Sequence, residues 1–185
     1  MSSSEENTNK INNLSSERQY SYQRMIEEIN QLTANADDLT SFYNAIVNSV
    51  QRVSDYYSVN LFIVDSERRW AVLKSGTGDV IQSAIQHGHK LAIDEQSMVS
   101  RVINTHYTGI AAIKPEQPPI PYPSVELPPV HSELCVPLIS RQNNVIGVLD
   151  IQSEEYDAFQ EDDAIIFEAL ANYMAIQLED TKYFK

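Results

Sequence analysis

Residues 57–75 read YSVNLFIVDSERRWAVLKS. Residues 57–65 and 70–75 are rich in β-branched and aromatic side chains, and the polar run 66–69 separates them, which predicts a β-hairpin. Gly76, Thr77 and Gly78 end the second strand. Strand alternation sets Asn60 with Phe62 and Val64 on one face, opposite Leu61 and Ile63. A second hairpin is predicted near the far end of the chain. Residues 132–140 and 145–153 read as strands, and 141–144 joins them with Asn143 and Asn144 suited to positive φ. Two hairpins of this kind imply an antiparallel sheet.

The stretches around these hairpins change period from two to about 3.6. Upstream, Tyr22, Met25, Ile26, Ile29 and Leu32 recur at intervals of three and four, predicting a first helix over 17–33. Asp37 or Asp38 can cap a second helix whose apolar face is Leu39, Phe42, Tyr43, Ile46, Val47, Val50 and Val53. Between the hairpins lie a short helix over 80–86 closed by Gly88, an extended piece at 89–93, a helix over 95–104 and a strand over 108–113. Residues 114–131 hold seven of the eight prolines and read as a stiff loop, expected to act as a lid on the sheet. A last helix is predicted over 160–183, with Ile166, Phe167, Leu170, Ala171, Met174 and Leu178 inward. The expected class is α+β: terminal helices on one face of an antiparallel sheet, short helices and the proline loop on the other. The domain division is a disordered lead-in at 1–16, a signalling or dimerisation helix at 17–33, and a domain over 37–183.

The 185 residues suit one domain with a helical extension. Thirteen basic against 26 acidic residues give a net charge of −13, which repels nucleic acid and anionic membrane alike. Cys135 is the only cysteine, excluding an intrachain disulfide and a cysteine-based zinc cluster. No apolar run approaches the roughly 18 to 20 residues of a membrane span, and the polar N-terminus is unlike a signal peptide. A cytoplasmic setting is the expectation.

Several stretches taken in order resemble the GAF domain family. They are VNLFIVD (59–65), WAVLKSGTG (70–78), SMVSRVI (97–103), SELCVPLIS (132–140) and VIGVLDIQS (145–153), followed by Phe159 and Asp163. The resemblance covers about residues 37–182. It implies a six-stranded antiparallel sheet, a small-molecule pocket on one face, a regulatory role in signalling, and pairing of terminal helices in a homodimer. Members that bind cyclic nucleotides carry an Asn-Lys pair followed by Phe-x-x-x-Asp-Glu. Phe159 and Asp163 match that pattern, but Gln152 and Ser153 stand for Asn-Lys and Ala164 for the Glu, so the resemblance argues against a cyclic nucleotide. Bilin members attach pigment through a cysteine commonly followed by His on a helix, whereas Cys135 precedes Val136 on a strand. Haem would need an axial ligand, and His106 and His131 have no sequence-local partner.

Asp150 interrupts the apolar run VIGVLDI, and a buried carboxylate must be paired, hydrogen-bonded or protonated. The resemblance places an acidic residue facing the ligand there, a polar pocket residue at Asn60, and a roofing helix at Met98 and Val99. The ligand-binding residues expected are therefore Asn60, Phe62, Met98, Val99 and Asp150, each weighed against plain packing or local hydrogen bonding. His87 and His89 are too few for a metal, and no metal site is expected. Cys135 is expected to be a small apolar filler. Free methionine sulfoxide reductases share the fold, but their chemistry needs an attacking and a resolving thiol, and one cysteine cannot be both. No Ser-His-Asp order, phosphate loop or zincin motif is present. The reading is a non-enzymatic sensory module that binds an unidentified small molecule and relays its state through terminal helices. The alternative is a ligand-free dimerising module.

Overall fold

The computed structural model describes residues 11–12, 14–34, 36, 38–54, 58–94, 96–116 and 129–180. In chain order the elements are α1 (Ser16–Thr33), α2 (Leu39–Ser54), β1 (Ser58–Val64), β2 (Trp70–Gly76), α3 (Asp79–Gln86), β3 (Lys90–Ala92), α4 (Met98–Thr105), β4 (Gly109–Ala112), β5 (Ser132–Ile139), β6 (Val145–Ser153) and α5 (Glu161–Asp180). The six strands form one sheet in the order β3-β2-β1-β6-β5-β4, antiparallel throughout. The two hairpins thus meet at the centre, where β1 pairs with β6. The greater part of the proline-rich loop, the first ten residues and residues 181–183 lie outside the described residues, as do the side chains of Leu32 and Val53.

Alternation along the strands divides the core in two. Val59, Leu61 and Ile63 join Leu134, Val136, Leu138, Leu149 and Ile151 against α1, α2 and α5. Phe62, Leu73, Cys135 and Val148 face the other way, under Ile81 of α3 and Val99, Val102 and Ile103 of α4. The terminal helices therefore cover one face and the inserted helices the other, as the periodicities predict.

One expectation about the terminal helices needs correction. The sequence reads residues 17–33 as a signalling or dimerisation helix set apart from the domain over 37–183. Met25 and Ile29 are instead buried at 2% and 0% exposure, in the same apolar cluster as the α2 and α5 side chains. α1 packs mainly along α2 and also touches α5, so its apolar side chains extend the core of the chain itself.

Asp163 fixes this arrangement. It stands in the first turn of α5, buried, and its Oδ2 accepts the Gln160 backbone N–H at 2.8 Å, the reciprocal arm of a helix cap. Its Oδ1 accepts from the Arg18 guanidinium of α1. Asp163, the one acidic position of the Phe-x-x-x-Asp-Glu pattern that this chain keeps, thus ties α5 to the first helix. Asp163→Ala removes a cap and leaves Arg18 its weaker contact with exposed Asp162. It should cost about 1 to 2 kcal/mol in urea unfolding, with α1 exchanging amide hydrogen faster than α2; equal protection of both helices in the variant would refute the link.

Candidate functional site

On the sheet face under α3 and α4, two neighbouring rungs of the ladder are polar where the rest is apolar. One rung sets Asn60 of β1 beside Asp150 of β6, and Asp150 beside Cys135 of β5. The next sets Ser58 beside Gln152, and Gln152 beside Glu133. All six side chains are buried, Asn60, Cys135 and Asp150 completely. The rung on the other side, Phe62, Val148 and Pro137, is apolar.

Asp150 is the hub. Its Oδ2 accepts Asn60 Nδ2–H at 3.1 Å and Gln152 Nε2–H at 2.9 Å. Its Oδ1 lies 3.5 Å from Cys135 Sγ, which is also 3.5 Å from Glu133 Oε1. Asn60 is oriented from behind, since its Oδ1 accepts Ser58 Oγ–H at 3.3 Å. Gly76 of β2, opposite Asn60 in the register, makes the room. A Cβ there would sit 2.6 Å from Asn60 Oδ1 and 2.3 Å from Ile81 Cγ2.

Electrostatics follow from enclosure. Burial pushes the Glu133 carboxyl up to about 8, helped by the charge of Asp150. Burial also raises Asp150, to about 6, against the hydrogen bonds from Asn60 and its other neighbours that favour the ionised form. Burial, then the two carboxyls, drive the Cys135 thiol well above its ordinary value. Among the described residues, no Lys, Arg or His stands among the causes of either carboxyl's shift. The cluster is therefore acidic, uncompensated and rich in acceptors, a setting for cations and NH donors.

Asn60 and Asp150, chosen from sequence for interrupting apolar strands, are brought into direct contact. Phe62 lies one rung away on the same face, wholly buried in the second apolar cluster with Val99. Met98 is half-buried, and its sulfur packs where a Cβ on Gly109 would fall, 2.3 Å away. Both Met98 and Val99 sit on α4, which lies across β5 and β6. Cys135 is buried as expected, but its neighbours are two carboxyls, so it is not simply an apolar filler. Glu133 and Gln152 were not selected as site residues. Each stands two positions along its strand from a residue already singled out, and alternation puts them on the same face; the cross-strand register that joins them was the missing signal.

A sequence profile of the GAF domain matches residues 36–179. No curated protein matches the chain. Among solved structures, the GAF domain of a phosphoenolpyruvate-protein phosphotransferase from Coxiella burnetii superposes with a TM-score of 0.70 at 21% identity, covering 85% of this chain and 94% of that one. A free methionine-R-sulfoxide reductase from Neisseria meningitidis, in complex with its substrate, also gives 0.70, at 20% identity over 90% and 92% of the two chains. The corresponding GAF domain from Acinetobacter gives 0.68 at 18% identity over 90% and 97%. The curled six-stranded sheet and its helical layers are theirs, and the chain belongs to the GAF domain family, a family of sensory and regulatory modules.

Proposed function

We propose that this chain is a non-catalytic sensory module that takes a small cationic or NH-bearing ligand at the Asn60–Asp150 cluster and passes its occupancy to the terminal helices. The observation that carries the reading is the placement of five buried polar side chains and the Cys135 thiol on two adjacent rungs of an otherwise apolar sheet face. Burying such groups costs free energy that packing alone does not return, and a ligand that satisfies them offsets the cost. Phe62, Met98 and Val99 supply apolar surface beside the acceptors. The relay has a structural basis: β6, which carries Asp150, presents Leu149 and Ile151 to the helices on its other face.

Native mass spectrometry of the chain purified from its own host tests the reading. A retained small molecule is expected, and Asp150→Ala should weaken it by about 1 to 3 kcal/mol, the size of a lost hydrogen bond to a charged group. A wild-type chain whose mass and stability respond to no small molecule or ion would leave only the dimerising role. The non-enzymatic part is supported by the single cysteine, whose thiol is enclosed and held protonated. Cys135→Ser should therefore abolish no sulfoxide-reducing activity.

A homodimer through the terminal helices completes the proposal. Tyr20 of α1 and Ile176 of α5 are exposed, at 62% and 41%. With Met25 and Ile29 already used inside the chain, less apolar area remains for a partner, so the dimer is weak rather than obligate. A charge of −13 per chain opposes it, and added salt should strengthen it by screening. Sedimentation equilibrium across salt concentrations checks this; a strict monomer throughout would remove the dimer.

A further inference from the structure

Among the described residues, Glu133, Cys135 and Asp150 each offer one ligand atom, a carboxylate oxygen or the sulfur, within 4.8 Å of the others, and all three are buried. The thiol lies at 3.5 Å from each carboxylate oxygen. It has one proton and cannot donate to both. In a tetrahedral site with metal–sulfur and metal–oxygen bonds of about 2.3 and 2.0 Å, the sulfur–oxygen edge is about 3.5 Å. The two sulfur–oxygen distances found match that edge, which is also the length of a thiol hydrogen bond. A separate observation points the same way. Gln152 is 1% exposed, its Nε2 already reaches Asp150, and its Oε1 has no hydrogen-bond partner. Gln152 is paired with Glu133 in the ladder, and a half-turn of its amide exchanges the Nε2 bond to Asp150 for an oxygen that can serve as a ligand.

We propose that Glu133, Cys135 and Asp150, with the Gln152 amide oxygen turned in as fourth donor, form a binding site for a first-row divalent metal ion. The inference deepens the sensory reading, resting on the same cluster and naming the class of cation. The thiolate favours zinc, cobalt or ferrous iron over magnesium and calcium, which prefer oxygen-only sites. Binding exchanges protons for metal: the thiol proton and the carboxyl proton that Glu133 holds pass to solvent. Three ionised ligands and a divalent ion then leave one net negative charge in place of the protonated cluster's own. Asn60 keeps its hydrogen bond to Asp150 Oδ2, which leaves Oδ1 for the metal and fixes the carboxylate's orientation. Because Cys135 and Asp150 are fully enclosed, loading accompanies folding rather than following it.

The test refolds the full chain from denaturant with cobalt(II), then removes free metal by gel filtration. One cobalt per chain is expected, with thiolate-to-cobalt charge-transfer absorption in the near ultraviolet, and zinc(II) should displace it. Cys135→Ser should lose the charge-transfer band, and Glu133→Gln should lose the metal. Glu154→Gln, on the exposed turn after β6, should keep both. Circular dichroism of each variant establishes that it has folded; if one has not, the charge-transfer band of the wild-type chain decides alone, since only a Cys135 thiolate can produce it. A folded wild-type chain without bound cobalt, or with cobalt but no charge-transfer band, overturns the site. If such a chain still retains an organic ligand in native mass spectrometry, the metal inference fails and the sensory reading stands. If it retains neither, both fail.

Discussion

Glu133→Gln should make the protein more stable at pH 8, by on the order of 3 kcal/mol, and should flatten its stability between about pH 5 and 8. In the folded chain burial lifts Glu133 to about 8 and Asp150 to about 6, against ordinary values of 4.5 and 3.8. Between those limits the folded state holds protons that the unfolded state has released. The contribution of the cluster is therefore fully present below about pH 4 and is lost as pH rises through 6 and then 8. The glutamine amide is nearly isosteric, has no proton to lose, and can still donate toward Asp150. Depressed carboxyls such as Asp38 and Asp65 titrate below this window and do not interfere. Urea unfolding from pH 5 to 8 with a chelator present measures the effect. Parallel curves for wild type and variant would mean that Glu133 is already ionised or solvated in the folded chain.

An effect of similar size and opposite sign is expected from Gly147→Ala. Gly147 lies in β6, paired with Ile63 of β1 and Leu138 of β5 at the middle of the sheet. A Cβ at this position would meet the Phe62 carbonyl oxygen at 2.6 Å and Ile63 Cδ1 at 3.1 Å. The first neighbour is backbone of an adjoining central strand, so the contact is relieved only by parting β1 from β6. About 3 kcal/mol of destabilisation follows, at the upper end of the usual range for overpacking. Because the shift propagates toward Asn60 and Asp150, any ligand or metal at the cluster should be released as well. A variant with unchanged melting temperature would show that the two strands can separate locally at little cost.

The fold was legible because its signals are local. The change of period at residue 57, the two hairpins and the polar interruptions at Asn60 and Asp150 are all read within a window of a few residues. The face each strand residue takes follows from alternation, and Phe62 and Cys135 fall where alternation puts them. What was not legible depends on register between distant segments. Glu133 and Gln152 enter the site only because β6 lies between β1 and β5 with one particular offset, which no single strand's sequence specifies. Burial of Met25 and Ile29 is likewise not legible, since it depends on how α1 docks against α2 and α5. The same limit applies to Cys135: its enclosure follows from its strand, but its two carboxyl neighbours come from alternation on β5 and from pairing with β6.

The pairing of β1 with β6 has a consequence for how the chain reaches its native state. Asn60 and Asp150 are 90 positions apart and lie at the centre of the sheet rather than at its rim. Closing so long a loop costs entropy before any contact at the centre repays it, which places the domain among slow folders of high contact order. During synthesis the first hairpin emerges with both its flanking helices and still lacks the strand that completes its ladder. The half-made sheet then exposes the polar edge of Asn60 to solvent until β6 arrives. The Asn60 amide, set in an otherwise apolar strand, makes that edge a poorer template for another nascent chain than a purely hydrophobic strand would be. The amide that later anchors Asp150 thus first serves to guard the half-made sheet.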